Sequence, residues 1–123
     1  MRLSTELREA AGTVRYRVTK ANGGRTINVR AYLGKKVVGR MGASQITPSW
    51  YDMGALVVDE MVQRQGVATQ LFTKLVKAAC ADGTQGVRSH GYQRSPAATE
   101  FWRAMVTHGK ARAEGPDFYA ECP

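Results

Sequence analysis

No run of about 18 apolar residues occurs anywhere in the chain, which argues against a membrane-spanning helix. The opening segment, Met1-Arg2-Leu3-Ser4-Thr5-Glu6, has no apolar stretch after its basic residue, so no secretory signal is expected. Cysteine is scarce. Cys80 and Cys122 are the only two, and their spacing matches no metal or redox motif. Without an export signal both are expected as reduced thiols of a cytoplasmic protein, with Cys80 on an apolar helix face as a core residue. Acidic residues are also in short supply: 10 Asp and Glu stand against 18 Lys and Arg, for a formal net charge of +8. That surplus favours anionic ligands and speeds encounter with them, without separating a nucleic acid from a phosphorylated cofactor or an acidic protein. The basic residues are scattered, and no block of about five or six like charges suggests a disordered basic tail. Repeats, linkers and low-complexity stretches are missing too. What remains is 123 residues with 43% hydrophobic content, room for one domain and one core.

The chain divides by hydrophobic period. Leu3 to Ala11 reads as a short helix, capped by Ser4 or Thr5 and stopped by Gly12. From Thr13 the period becomes two: Val14, Tyr16 and Val18 alternate with Arg15, Arg17 and Thr19. Ala21-Asn22-Gly23-Gly24 is a turn, because Asn and Gly tolerate positive φ. A second strand carries Ile27, Val29 and Ala31 on one face, and a third runs from Val37 to Ile46. This predicts an antiparallel meander. After Thr47-Pro48-Ser49 comes an apolar strand, Tyr51 to Val58, then a polar loop, Asp59 to Gln65, and Gly66. From Val67 to Ala81 the apolar positions follow a helical period, ended by Asp82-Gly83. Gly86 to His90 is a short strand. Ser95-Pro96 opens a second helix, with Ser as cap and Pro in the first turn, stopping near His108-Gly109. One or two weak strands close the chain between Ala111 and Cys122. The fold class is therefore α/β with a mixed sheet: a meander followed by β-α-β-α-β.

The stretch that carries chemistry is the strand Ala55–Val58, the loop, Gly66 and the helix. A glycine-bearing loop entering a helix presents unpaired N–H groups and the positive end of the helix dipole, which suits a phosphate. Arg64 adds charge, and Ala68 keeps the first turn small. On these grounds alone the signal is weak, because most strand-loop-helix junctions bind nothing.

The residues themselves add more. Gln63-Arg64-Gln65-Gly66-Val67-Ala68 resembles the Gln/Arg-x-x-Gly-x-Gly/Ala motif of the Gcn5-related N-acetyltransferase (GNAT) superfamily. As in that family, an apolar strand run, Leu56-Val57-Val58, precedes the motif, and a helix with Leu71 follows it. Downstream, Ser95-Pro96-Ala97-Ala98-Thr99-Glu100-Phe101-Trp102 is similar to the family's Asn-x-x-Ala-x-x-Phe-Tyr segment. The resemblance spans roughly Tyr51 to Gly109, about half the chain. It implies a GNAT-like fold over residues 1–123 and an acyl-CoA-dependent N-acyltransferase using acetyl-CoA. It implies that backbone amides from Gln65 to Thr69, with Gln63 and Arg64, cradle the coenzyme A pyrophosphate. It also implies that Leu56, Val57 and Val58 pair with the pantetheine arm, where β-strands splay, and that Ser95 and Trp102 border the cofactor.

Three departures bear on mechanism. Trp102 stands where many members carry a tyrosine acid; an indole N–H is no general acid near neutral pH, so Trp102 is read as a wall of the channel. Ser95 replaces an Asn and fits a helix N-cap equally well. The two helices that usually separate the first strands are missing, since Lys20 to Arg25 is a tight turn. This leaves the acceptor side open for a bulky or macromolecular acceptor, unless a homodimer contact or the Leu3–Ala11 helix fills it. For the base, the resemblance makes Asp52 the first choice, eleven residues before Gln63, where some members place a glutamate; alternation puts Asp52, Gly54, Leu56 and Val58 on one face. His90 is a second candidate base, and Tyr92 a substitute acid; each has a plain structural alternative. No metal site is expected. No cysteine lies near the motif, so direct attack in a ternary complex is favoured over an acyl-enzyme. Two other readings stay open: a base modifier resembling the phage Mom proteins, and a non-catalytic coenzyme A-binding module.

Overall fold

The computed structural model describes residues 13–123, so the Leu3–Ala11 helix lies outside the described residues. Alternation in the first third yields three long strands: β1 (Arg15–Ala21), β2 (Thr26–Leu33) and β3 (Lys36–Thr47). A tight turn at Asn22–Gly24 joins the first two, with left-handed φ at Asn22, Gly23 and Gly24. β4 (Trp50–Val58) leads through the loop into helix α1 (Val67–Ala81). β5 (Gly86–Ser89), helix α2 (Pro96–Thr107), β6 (Arg112–Glu114) and β7 (Asp117–Glu121) complete the chain. All seven strands form one sheet in the order β1-β2-β3-β4-β5-β7-β6. Only β4 and β5 run parallel, as the right-handed β-α-β crossover requires.

Directly opposed residues share a sheet face, so the register sorts the side chains. On one face lie Ile27, Val29 and Ala31 of β2, Met41 and Ala43 of β3, Tyr51 of β4 and Val87 of β5, all buried. Both helices pack there: Leu71, Phe72 and Leu75 of α1 are buried, and Phe72 meets Trp102 of α2 edge-on at 5.1 Å. Among the described residues no helix covers the opposite face.

Two features of the sheet differ from the expectation. Gly42 opposes Ala55 and Ala43 opposes Met53, so Gly54 is skipped in a bulge. The bulge breaks the alternation: Asp52, opposite Ser44, lies on the uncovered face, whereas Leu56, opposite buried Met41, lies on the helix side. The expected shared face of Asp52 and Leu56 is thereby corrected. The second correction concerns the thiols. Cys80, at the end of α1, forms a disulfide with Cys122, just beyond β7. Pairing of β7 with β5 carries the C-terminus back under α1, where the Cys122 N–H donates to Gln85 O at 2.9 Å. No described cysteine is a free thiol.

Candidate active site

β4 and β5 pair at only three positions, Trp50↔Gly86, Tyr51↔Val87 and Asp52↔Arg88. Beyond Asp52 the two strands part, leaving Leu56 to Val58 without a strand neighbour on that side. The gap expected between them is present, and a cleft opens on each side of Leu56.

The first cleft, about 350 Å³, lies at the start of α1 and is lined by Leu56, Val58, Gln63, Arg64 and Gly66 to Thr69. The loop organises itself. Asp59 accepts from the Met61 N–H at 3.1 Å, and Gln63 Nε2 donates to Val58 O at 3.1 Å, pinning the loop to the strand end. Gln65 spends its amide on Val62 O at 3.4 Å and its side chain on Met61 O at 3.3 Å. Gln65 does not line the cleft, and its N–H and side chain bond within the turn. Arg64 and Gly66 both adopt left-handed φ, 66° and 78°, which turns the chain sharply into the helix. No atom lies within 4 Å of where a Gly66 Cβ would stand, so glycine is needed there for its φ. The first bond into the helix runs from Gln70 N to Gly66 O at 3.0 Å, and no side chain caps the end. The N–H groups of Val67, Ala68 and Thr69 thus precede the helical ladder, at the positive end of a fifteen-residue helix. This arrangement fits an anionic pyrophosphate.

The second cleft, about 420 Å³, is lined by Asp52, Val57, Arg88, His90, Tyr92, Arg94 and Ser95, and again by Leu56. Asp52 is its centre. Its side chain is only 11% exposed; Oδ1 accepts from Arg88 Nε at 2.6 Å and lies 3.3 Å from His90 Nε2. The second oxygen, Oδ2, is buried with no hydrogen-bond partner. On the far side of the imidazole, His90 Nδ1 lies 3.5 Å from Asp117 Oδ2. Asp117 is held by the Gly91 N–H, which donates to Oδ1 at 3.0 Å. That amide, and then the imidazole, keep the Asp117 carboxyl below the usual carboxylate range. Gly91 has to be glycine here, since a Cβ would fall 2.6 Å from the Pro116 Cβ. Tyr92, 81% exposed, stacks its ring on His90 at 5.8 Å. An imidazole flanked by two carboxylates, one with a free oxygen, can take up a proton from an ammonium and disperse the charge.

The structure brings Asp52, His90 and Tyr92 together around the second cleft, and it places two other residues differently from the expectation. Trp102 is 0% exposed, between Phe72 and the stacked ring of Phe118. It is therefore core and not a channel wall, because its helix face turns into the α1–α2 contact; its Nε1 has no hydrogen-bond partner. Ser95 caps α2, its Oγ accepting the Ala98 N–H at 3.2 Å, while also lining the Asp52 cleft. Sequence reasoning missed Arg88, Asp117 and Arg94. Arg94 donates to Ser89 O, Thr99 Oγ1 and Pro116 O, at 3.2, 3.0 and 2.6 Å, and covers the Phe118 ring. It ties β5, α2 and the β6–β7 turn together, and burial lowers its guanidinium pKa. Arg88 had one local signal, a charge between Val87 and Ser89 in a strand. Asp117 had none, because its partner His90 is far away in the chain.

The sequence profile of the Acetyltransferase (GNAT) family matches residues 3–106. Among solved structures, an acetyltransferase of the GNAT family from Staphylococcus aureus Mu50 superposes with a TM-score of 0.65 at 10% identity, covering 80% of this chain and 69% of that one. An IAA acetyltransferase from Bacillus cereus gives 0.64 at 14% identity, covering 89% of this chain and 100% of that one. An aminoglycoside 6'-N-acetyltransferase complexed with coenzyme A gives 0.51 at 23% identity over 53% of this chain. The match spans only 37% of that enzyme's length. At these identities the superpositions establish the shared fold. No curated protein sequence matches the chain significantly.

Proposed function

Since the chain belongs to the GNAT acetyltransferase family, we propose that it transfers an acetyl group from acetyl-CoA to a primary amine by direct attack in a ternary complex. The observation that carries the reading is Asp52 Oδ2, a buried and unpartnered carboxylate oxygen in the cleft beside the strand gap. With Arg88 paired to the other oxygen, a buried carboxylate oxygen left without a hydrogen-bond partner is still costly, so its persistence points to a ligand, and an ammonium is the complement of a carboxylate.

In this reading the pyrophosphate of acetyl-CoA lies on the N–H groups of Val67 to Thr69, with Arg64 beside it. The pantetheine arm follows Leu56 to Val58 as an added strand, whose amides have no β5 partner. A backbone N–H of Leu56 or Val57 faces the thioester oxygen and stabilises the charge that develops on it. The acceptor ammonium docks on Asp52 Oδ2. Its proton passes to the Asp52–His90 pair, and the free amine attacks the thioester carbon. Collapse forms the amide and releases a thiolate, and the second proton of the amine nitrogen passes to that thiolate through Tyr92 or a water. Arg88 and Asp117 are positioning residues: one fixes Asp52, the other the imidazole. No described helix is long and apolar enough to cross a membrane. Disulfides persist in oxidising compartments, so a cytoplasmic location holds only with Cys80 and Cys122 reduced.

Calorimetric titration of acetyl-CoA into the protein and into Gly66→Asp tests the cofactor side. Aspartate is among the residues that best tolerate left-handed φ, so the variant is expected to fold, and a thermal melt checks it. Micromolar binding that vanishes in the variant supports the reading. Wild-type protein that binds neither acetyl-CoA nor coenzyme A overturns it.

A further inference from the structure

The uncovered face of the sheet carries an arrangement that stability alone does not explain. Arg17 of β1 stands directly opposite Arg30 of β2, and Arg30 directly opposite Arg40 of β3. All three are exposed, and none has a carboxylate within ion-pair distance among the described residues. Like charges facing each other across adjacent strands destabilise a sheet. The row also has a direction. Arg40 is opposite Val57, which is 51% exposed and lines the Asp52 cleft. Three arginines thus lead from the β1 edge to the rim of the cleft in which the free carboxylate oxygen sits.

We propose that this row docks an acidic, extended protein segment that presents the acceptor amine to Asp52, so that the substrate is a lysine or terminal amine flanked by acidic residues. The proposal rests on the acyl-transfer reading of the cleft. Guanidinium groups pair with carboxylates bidentately. Adjacent strands are about 4.8 Å apart and an extended chain rises about 3.3 Å per residue; with Arg40 four residues along β3 from Ser44, which faces Asp52, the three arginines reach acidic residues roughly four to six positions from the amine. Signs also separate the two ends of the site. The arginine row repels an ammonium and attracts its acidic flank, while inside the cleft Asp52 Oδ2, the carboxylate oxygen not paired with Arg88, is the group that receives the ammonium. A nucleic acid is served less well, because the row has no interleaved aromatic platform for bases, and a base amine brings no cationic charge to Asp52.

The test is fluorescence anisotropy with two labelled peptides, each holding one lysine followed after three residues by three glutamates or by three glutamines. The wild-type protein is expected to bind the glutamate peptide at least about ten-fold more tightly, with the preference weakening as salt is added. In Arg17→Gln/Arg30→Gln/Arg40→Gln the preference should disappear while the melting temperature holds or rises. No preference in wild type, or a preference that survives in the triple variant, overturns the proposal. So does a thymidine oligonucleotide that competes better than the glutamate peptide. Failure here leaves acetyl-CoA calorimetry unaffected, and failure of the acetyl-CoA titration leaves the anisotropy readable, so the two readings fail separately.

Discussion

The two faces of the sheet follow opposite rules. Toward the helices, β2 to β5 present Ile27, Val29, Met41, Tyr51 and Val87, each buried and packed under Leu71, Phe72, Leu75 and Trp102. On the other side the same strands present Arg30, Arg40, Asp52 and Arg88. One face is a closely packed apolar core, in which Trp102 Nε1 is nonetheless buried without a hydrogen-bond partner. The other holds directly opposed arginines and a buried carboxylate oxygen without a partner, both of which cost stability. Where a fold keeps such costs together on one surface, that surface is where function is to be sought.

Paired substitutions should separate the faces most sharply. Asp52→Asn removes the proposed base and should lower kcat/KM for acetyl transfer by about 10²- to 10⁴-fold while the protein still unfolds cooperatively. Leu71→Ala, under the sheet, should cost about 2–5 kcal/mol in urea denaturation and act on turnover only through the folded fraction. Equal losses of activity and stability in Asp52→Asn would erase the contrast.

A smaller effect lies at the sheet's end. The Cys80–Cys122 bond closes a loop between residues 42 apart in sequence, and the chain-entropy estimate for such a loop is about 2–4 kcal/mol. Reduction, or Cys80→Ser/Cys122→Ser, should lower the denaturation midpoint accordingly without weakening acetyl-CoA binding. Intact-mass measurement after alkylation reports whether the bond is formed.

The finest test uses pH. The Tyr51 hydroxyl lies 2.7 Å from Asp82 Oδ2 and 3.0 Å from Gly24 O, and its pKa is pushed up to about 12, first by burial and then by the Asp82 carboxylate. A folded-state pKa above the ordinary tyrosine value of 10.0 contributes stability that is fully present below pH 10.0 and is lost as pH rises toward about 12. Asp82 behaves oppositely. Lys20 and then Tyr51 lower its pKa, so its contribution is lost as pH falls below the ordinary aspartate value of 3.8. Stability curves of Tyr51→Phe should lack the alkaline decline specific to wild type. A variant whose decline is identical would show that Tyr51 is not linked to folding.

Much of this was legible in advance. Alternation located β1 and β2, an apolar run located β4, the 3.6-residue period located α1, and Ser95-Pro96 marked the start of α2 to the residue. The loop at Gly66 and the candidate base Asp52 were both visible, each as a local pattern of residue types. Trp102 was misplaced because a helical aromatic reads alike whether its face meets a channel or another helix. Cys80 and Cys122 were misread because nothing near either one announces the other. Arg88 and Asp117 escaped because their partners, Asp52 and His90, lie on other strands.

Sequence by itself determined which segments are helices and strands, where the phosphate-type loop sits, and that the protein is basic. These follow from short-range periodicity, turn chemistry and composition, which act within a few residues. Only the tertiary structure decided that a bulge at Gly54 turns Asp52 away from Leu56, that His90 sits between two carboxylates, and that three arginines line up toward that cleft. Those outcomes depend on strand register, and register is set by the packing of the whole sheet against its helices, not by the residues on either side of a given position.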